Sequence, residues 1–291
     1  MQEDKPAISV VVPAYNEEEA LPTVLGDLVR EMDAIGRPYE IIVVDDGSTD
    51  RTCALCEGVP HLRLLRHARN RGTGAARTTG VQQACANDIV MIDADGTYPV
   101  EAIPAMLDEL TRCDMVIGAR DKEMGTVRAL RSLAKCFIRA LASYLTDTKI
   151  PDLNSGLRAM KRDQVLRFVS ILPNTHSWVS TITMAFLSSD LAVSWVPVSY
   201  HKRIGHSTFH PIRDTYNYLS LVVRAITYFN PLRVFLPLSA GLFALGFAKA
   251  IYDIFTYRFH FAPSTVILIM TALQMGAIGL LADLIVRRSK L

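Results

Sequence analysis

Cysteine is scarce and unpaired in this chain. Five occur among 291 residues, Cys53, Cys56, Cys85, Cys113 and Cys136, and an odd, scattered set argues against a disulfide framework and for a reducing, cytosolic setting. Cys53 and Cys56 form a C-x-x-C, but no second pair follows at the spacing of a structural zinc site, so they read as helix-packing thiols. The N-terminal MQEDKPAISV has neither the basic start nor the apolar run of a secretory signal, and any membrane attachment is expected further along. No G-K-[ST] is present, which removes the Walker phosphate loop. The G-x-G at Gly72 and Gly74 lacks a third glycine and follows the third apolar run instead of the first, so it is no dinucleotide fingerprint. The net charge is only +2, and no nucleic-acid partner is expected.

What is present falls into two unlike regions. Toward the C-terminus, residues 234–248 (VFLPLSAGLFALGFA) carry no charge, and the apolar character resumes past Lys249 to Phe255. Residues 263–282 form a second uncharged run, of about the length that crosses a bilayer core. Arg224 and Arg233 precede the first run, and Arg287, Arg288 and Lys290 follow the second. The short connection offers Arg258 and His260 at most. A helical hairpin with both ends on the cytoplasmic face of the plasma membrane is expected.

The first half alternates. Short, nearly continuous apolar runs, AISVVV (7–12), EIIVV (40–44), LRLL (62–65), DIVMI (88–92) and DMVIG (114–118), read as strands buried on both faces. Helical patterns start after Asn16, Asp50, Gly72 and Pro99, which predicts an α/β, mostly parallel, doubly wound sheet. Ligands of such sheets gather beyond the C-terminal strand ends. Four polar clusters fall there, opening at Pro13, Asp45, His67 and Asp93. In the fourth, MIDADGTYP, two carboxylates two residues apart on extended chain face the same way and repel. Alone, such a motif is a solvated turn as readily as a metal site. Convergence of four clusters on one rim favours a cation, with Mg2+ or Mn2+ suited to hard oxygen ligands. The small residues of NRGTGAAR (70–77) are expected to let backbone approach a ligand.

VVPAYNEEEALP, VVDDGSTD, NRGTGAARTTG and IDADGTYP, in this order, resemble the nucleotide-binding loops and D-x-D motif of the family-2 glycosyltransferases of the GT-A (Rossmann-like) fold. DLNSGLRAM (152–160) and KRIGHST (202–208) are similar to the branch that transfers sugars to polyprenyl phosphates, which includes dolichyl-phosphate mannose synthases and bacterial undecaprenyl-phosphate glycosyltransferases. The resemblance covers the whole chain. It implies transfer of one sugar from a UDP- or GDP-sugar donor to undecaprenyl or dolichyl phosphate. Pro13, Tyr15, Glu17, Asp45, Asp46, Arg71 and Asp93 are then the expected nucleotide-binding residues, with Asp46 on the base. Asp93 and Asp95 are the expected metal ligands. The expected catalytic set is Asp95, Asp152 as base or positioning carboxylate, and Arg203 on donor phosphate. The chain departs from the family at Thr97, where Gln is frequent, and at Thr208, where Lys is usual, so metal coordination and pyrophosphate neutralisation are expected to lean more on water, His206 and Arg203.

On the acceptor side, Val127, Leu130, Ala134, Phe137, Leu141 and Leu145 recur at helical spacing, and Arg128, Arg131, Lys135 and Arg139 form a basic stripe. In a soluble protein such a stripe is a solvated face; beside a bilayer it suits anionic headgroups or a lipid phosphate. Arg120, Arg128, Arg131, Lys135 and Ser155 are the expected acceptor-phosphate residues. A second amphipathic stripe at 211–229 predicts an interfacial helix. The expected organisation is a cytosolic catalytic domain over 1–210, an interfacial helix over 211–230, and a hairpin over 231–291 with spans near 234–255 and 263–286. His61 and His176 read as loop residues, Trp178 and Trp195 as packing or interfacial anchors, and Met106, Met115, Met160 and Met184 as core. Two other readings stay open. A processive polysaccharide synthase would carry a Q-x-x-R-W motif, which is absent, and a non-catalytic nucleotide-sugar-binding membrane protein would not need the aspartate pair. Donor sugar, prenyl length and homo-oligomeric state are left open.

Overall fold

The computed structural model describes residues 5–121, 143, 148–203, 231–256 and 261–289. The basic stripe with Arg128, Arg131 and Lys135, the 211–230 segment, His206 and Thr208 lie outside the described residues. The chain divides into two compact units, Met1–Tyr218 and Leu219–Leu291.

The first unit is built on seven strands: β1 (Ile8–Ala14), β2 (Tyr39–Asp45), β3 (Leu62–Arg66), β4 (Asp88–Met91), β5 (Met115–Arg120), β6 (Arg158–Lys161) and β7 (Val193–Val198). Their order is β3-β2-β1-β4-β6-β5-β7. β6 runs antiparallel to both β4 and β5, and the remaining pairs are parallel. Among the described residues the α-helices of this unit are α1 (Leu21–Ile35), α2 (Thr73–Gln83), α3 (Ile103–Glu109), α4 (Arg162–Leu166) and α5 (Trp178–Ser188).

Every residue of β1 is buried, because helices cover both faces. Ile8, Val10 and Val12 share a core with Leu21, Val24, Leu25, Leu28 and Met32 of α1 and with Ile103 and Met106 of α3. Their neighbour Val11 points the other way, toward Ala76 and Val81 of α2 and Trp178, Ile182 and Phe186 of α5. The alternation of β1 thus divides its side chains between two cores. The helix α1 ends at Gly36, whose φ of 69° is the left-handed stop that glycine supplies.

Several expectations change. The acidic run Glu17–Glu19 precedes α1 and does not form its first turn. The helix expected after Asp50 is a single 3-10 turn at Ala54–Cys56. Cys56 is core, whereas the Cys53 thiol donates to Asp45 Oδ2 at 3.0 Å. The strands β6 and β7 were not among the five apolar runs. All four methionines are buried, as expected of core residues, and so is Trp178.

The second unit is a pair of antiparallel helices, α6 (Leu232–Thr256) and α7 (Pro263–Ser289), both long and apolar enough to cross a membrane. At 1.5 Å per residue, 25 residues reach about 37 Å against a hydrocarbon core of about 30 Å. Gly246 and Gly279 lie against Ile269 and Phe235, where a Cβ would come within 2.8 and 2.5 Å of side-chain carbons. Ser239 Oγ donates to the Ala272 carbonyl at 2.7 Å. At the turn end, the fully buried Asp253 accepts from the Ala262 amide, the Thr265 hydroxyl and Lys249 Nζ. Large apolar side chains face outward, with Leu245 at 63%, Phe255 at 84% and Ile285 at 69% exposure. Water is a poor solvent for such a surface and lipid a good one.

Gly80 sets how closely α2 rides on β1, since a Cβ there would lie 2.2 Å from Val11 Cγ1. Gly80→Val should lift the helix and lower stability by about 1–3 kcal/mol. The check is a lower thermal midpoint for the detergent-purified chain with unchanged far-UV circular dichroism.

Candidate active site

The parallel strands β1, β2, β3 and β4 deliver their following loops to one edge of the sheet. The loop after β1 is zipped to the loop after β2. Ser48 Oγ accepts the Asn16 amide at 2.9 Å, Thr52 Oγ1 accepts the Glu17 amide at 3.0 Å, and Asp50 accepts the Glu18 amide at 3.2 Å. Asn16 Oδ1 takes the Thr49 amide in return, at 2.9 Å. These bonds hold Asn16 in the left-handed region, at φ 53°, a conformation that asparagine tolerates better than most residues. Pro13 is buried within β1, opposite Val44, while Tyr15 beside it is half-buried.

Asp45 and Asp46 organise the next loops. Asp45 is fully buried, accepts the Ser48 amide at 3.1 Å and pairs with Arg66 Nε at 3.3 Å. Asp46 Oδ1 accepts the Arg71 amide at 3.0 Å and Oδ2 the Gly72 amide at 2.7 Å, with His67 Nδ1 at 2.6 Å from Oδ1. Thr79 Oγ1 lies 2.9 Å from the far nitrogen of His67. Both Asp46 oxygens are therefore engaged by this chain's own donors. The Arg71 side chain is exposed.

The small residues of the 70–77 segment admit the chain itself. A Cβ at Gly72 would meet the Asn174 carbonyl oxygen at 2.2 Å, and one at Gly74 would meet the Pro173 oxygen at 2.2 Å. The Gly74 amide donates to the Asn174 carbonyl at 3.0 Å. This corrects the expectation that the segment exposes backbone to a ligand, because residues 173–175 occupy the N-terminal end of α2.

The D-x-D carboxylates follow β4. Asp93 Oδ1 accepts from Arg77 Nη2 at 2.6 Å, and its other oxygen lies where a Cβ on residue 156 would sit, 2.0 Å away, so only glycine fits there. Asp95 Oδ1 accepts the Thr97 amide at 3.1 Å and hydroxyl at 2.6 Å. Thr97 is 1% exposed and orients Asp95, so it is no substitute for a metal-ligating Gln. Arg203 pairs with Glu17 through Nη2 and lies 3.5 Å from Asp95 Oδ2 through Nη1. Burial pushes Glu17 up to about 7, against the pull of Arg203. Burial also raises Asp95, reinforced by Asp93. Each carboxylate is uncomfortable as an anion without a cation beside it.

Asp152 stands on the loop before β6. Arg120 grips it with two parallel bonds, Nε to Oδ2 at 2.6 Å and Nη2 to Oδ1 at 2.9 Å. The Asn154 amide adds a third bond at 3.0 Å. Against the upward push of burial, these donors hold the Asp152 carboxyl below the usual carboxylate range. Arg120, expected on acceptor phosphate, is thus committed to Asp152 and also lies over the Tyr200 ring. Ser155, likewise expected there, is fully buried and donates to the Leu157 carbonyl at 3.4 Å. It serves the interior of the loop.

Three residues carry structure that sequence reasoning missed. Arg158 is fully buried and props the 152–156 loop from beneath, donating to the Ser155 and Leu153 carbonyls at 2.8 and 3.0 Å and to Thr183 Oγ1 at 2.6 Å. Burial pulls its guanidinium down to about 9. Arg77 neutralises Asp93, and His67 braces Asp46. A charged residue inside an apolar stretch, as in LRAM, is the signal that marks Arg158.

Hard carboxylate oxygens of Asp93 and Asp95 fit a divalent cation. Among the described residues no three His, Cys, Asp or Glu gather at ligating separation, so phosphate oxygens and water would have to complete the shell.

Comparison with known proteins joins both units to one lineage. Residues 9–167 match the family model described as glycosyl transferase family 2, and residues 230–287 match the GtrB C-terminal hairpin. The chain is 34% identical over 197 residues to undecaprenyl-phosphate 4-deoxy-4-formamido-L-arabinose transferase of Pectobacterium atrosepticum, covering 61% of this chain and 58% of that one. It therefore spans less than two thirds of that relative's length. It is 27% identical to the dodecaprenyl-phosphate galacturonate synthase of Rhizobium johnstonii, covering 96% of this chain and 88% of the relative. Among solved structures, glucosyl-3-phosphoglycerate synthase from Mycobacterium tuberculosis, in complex with Mn2+, UDP-glucose and phosphoglyceric acid, superposes with a TM-score of 0.60. That match has 20% identity and covers 76% of this chain and 79% of that one, a likeness of fold. With more than half its length matched and the D-x-D and D-x-x-S-G loops meeting at Asp93 and Gly156, this chain belongs to glycosyl transferase family 2 and carries a GtrB-type C-terminal hairpin.

Proposed function

We propose that the chain moves one sugar from a nucleotide-diphosphate sugar to a polyprenyl phosphate at the cytoplasmic face of the plasma membrane, giving a polyprenyl-phosphate-linked sugar. The observation that carries this reading is the meeting of Asp93, Asp95, Glu17 and Arg203 with the Asp152 loop in a chain that also bears an apolar hairpin. The relatives named for undecaprenyl and dodecaprenyl phosphate support the acceptor class. The catalytic domain is assigned to 1–210, the interfacial helix to 211–230 and the anchor to 231–291.

In this reading Pro13, Tyr15 and Glu17 flank the nucleoside, and Asp45, Asp46 and Arg71 shape its floor. Asp46 does so chiefly by holding the Arg71 and Gly72 amides. Asp93 and Asp95 would hold Mg2+ or Mn2+, which supplies charge neutralisation for the departing nucleoside diphosphate. Arg203 adds a second cation on the phosphates. Arg128, Arg131 and Lys135 are proposed to receive the lipid phosphate, with Arg120 acting through Asp152. A phosphate acceptor is already anionic and needs no strong base. Asp152 then orients the acceptor loop, since a carboxylate gripped by four donors and held below its ordinary range is a poor proton acceptor at neutral pH.

The discriminating experiment incubates the detergent-purified chain with a panel of UDP- and GDP-sugars and a short polyprenyl phosphate. One-sugar lipid products are expected; polymer made without lipid would overturn the reading. Asp95→Ala should lower metal-dependent transfer by about a thousandfold, the scale of losing a main electrostatic stabiliser, with unchanged circular dichroism. Asp152→Asn tests positioning against base catalysis. A depressed folded pKa stabilises above the unfolded value of about 3.9 and is lost as pH falls through the folded value. The variant's stability deficit at pH 7 should therefore shrink toward pH 3. Its transfer rate should drop without a change in pH profile above pH 5; loss of a wild-type inflection there would make Asp152 the base.

A further inference from the structure

Asp95 has one oxygen to offer a cation. Its Oδ1 is taken by the Thr97 amide and hydroxyl, which leaves Oδ2, and Oδ2 faces Arg203 Nη1 at 3.5 Å. The same guanidinium is paired through Nη2 with Glu17. Resting on the metal reading above, we propose that Arg203 and a divalent ion are mutually exclusive partners of Asp95 Oδ2. The guanidinium holds the metal subsite until a nucleoside diphosphate draws it away, so that metal and nucleotide bind together.

Three observations carry this. First, Asp93 cannot take over as the principal ligand while Arg203 stays, because its Oδ1 is held by Arg77 and its Oδ2 is packed against Gly156. Second, a divalent ion on Oδ2 would sit about 2.1 Å from that oxygen, which sets it beside a guanidinium already held there, cation against cation. Third, Arg203 can exchange partners without moving its backbone far. The segment behind it is fastened by the His201 amide donating to the Thr97 carbonyl at 2.9 Å and by Tyr200 packed edge-on to Tyr98 at 5.3 Å between centroids. Arg203 Nε is buried and has no hydrogen-bond partner among the described residues, a donor suited to the bidentate contact that a phosphate invites. A diphosphate can repay the guanidinium for leaving Glu17 and Asp95, and it also supplies the oxygens that the metal lacks from protein. Thr97 makes the exclusion strict, because by fixing Oδ1 it denies the ion a second Asp95 oxygen.

The test measures free Mn2+ by electron paramagnetic resonance with the detergent-purified full chain, first with Mn2+ alone and then with UDP or GDP added. Wild type is expected to bind Mn2+ weakly alone and about tenfold or more tightly with the matching nucleotide. Arg203→Gln should bind Mn2+ alone about tenfold more tightly than wild type, and nucleotide should then add less. Arg203→Lys, which keeps a cation there, should stay close to wild type. Adding Asp95→Asn to Arg203→Gln should abolish the gain. Circular dichroism and thermal midpoints matching wild type exclude misfolding as the cause. Unchanged or weaker Mn2+ binding by Arg203→Gln, or a gain that survives Asp95→Asn, overturns the proposal. The readout needs no turnover, so failure to glycosylate any polyprenyl phosphate would remove the transfer reading and leave the Mn2+ comparison decisive on its own.

Discussion

Carboxylates gathered at one sheet edge must each be given a cation or a set of hydrogen-bond donors, and the architecture of the rim follows from that requirement. Asp93 has Arg77, Asp152 has Arg120, Asp45 has Arg66, and Glu17 and Asp95 share Arg203. At the effective dielectric near a protein surface, two unit charges 4 Å apart interact by about 4 kcal/mol. Removing one partner of a buried pair typically costs about 3–5 kcal/mol, because the other charge is left stranded. The arginines come from the end of β3, from α2, from the end of β5 and from the segment after β7, so the pairings tie together parts of the chain that are distant in sequence. They also divide the carboxylates into two kinds. Asp45 and Asp152 each keep an arginine of their own and are fixed; Glu17 and Asp95 share one guanidinium and are the ones poised to change partners.

How much of this was legible in sequence depended on whether the cause was local. The β1 to β5 runs declared themselves as short, nearly continuous apolar stretches, and their observed bounds lie within two residues of those stretches. The two C-terminal spans declared themselves by length and lack of charge. The strand β6 did not, because RAMK carries two basic residues and only four positions, and its place between β4 and β5 comes from pairings 67 to 73 residues away in β4 and 41 to 45 residues away in β5. The acidic run at 17–19 looked like a helix start, yet the side chains of Thr52 and Asp50 take the Glu17 and Glu18 amides. Gly72 and Gly74 read as ligand-facing positions, whereas each, like Gly156, admits a distant part of the same chain. A glycine announces close approach, but one sequence does not say of what. Thr97 followed the same logic, since its departure from the family pattern removed a potential ligand and added a clamp on Asp95.

The arginine inventory also bears on which acceptors such a rim can serve. A hydroxyl acceptor needs a general base titrating near neutrality. Asp152 is driven the other way by Arg120 and the Asn154 amide. Glu17 is pushed up to about 7 by burial, but it stands beside Asp95 and Arg203 on the loop after β1 and not on the Asp152 loop. A rim arranged in this way is best suited to a nucleophile that arrives already charged. A phosphate does so at neutral pH, since its second proton leaves near pH 6. The same anion would be repelled by unpaired aspartates, so neutralising them serves acceptor approach as well as folding. In this family member the pairing that makes a carboxylate-lined rim stable thereby narrows the proposed chemistry to anionic acceptors.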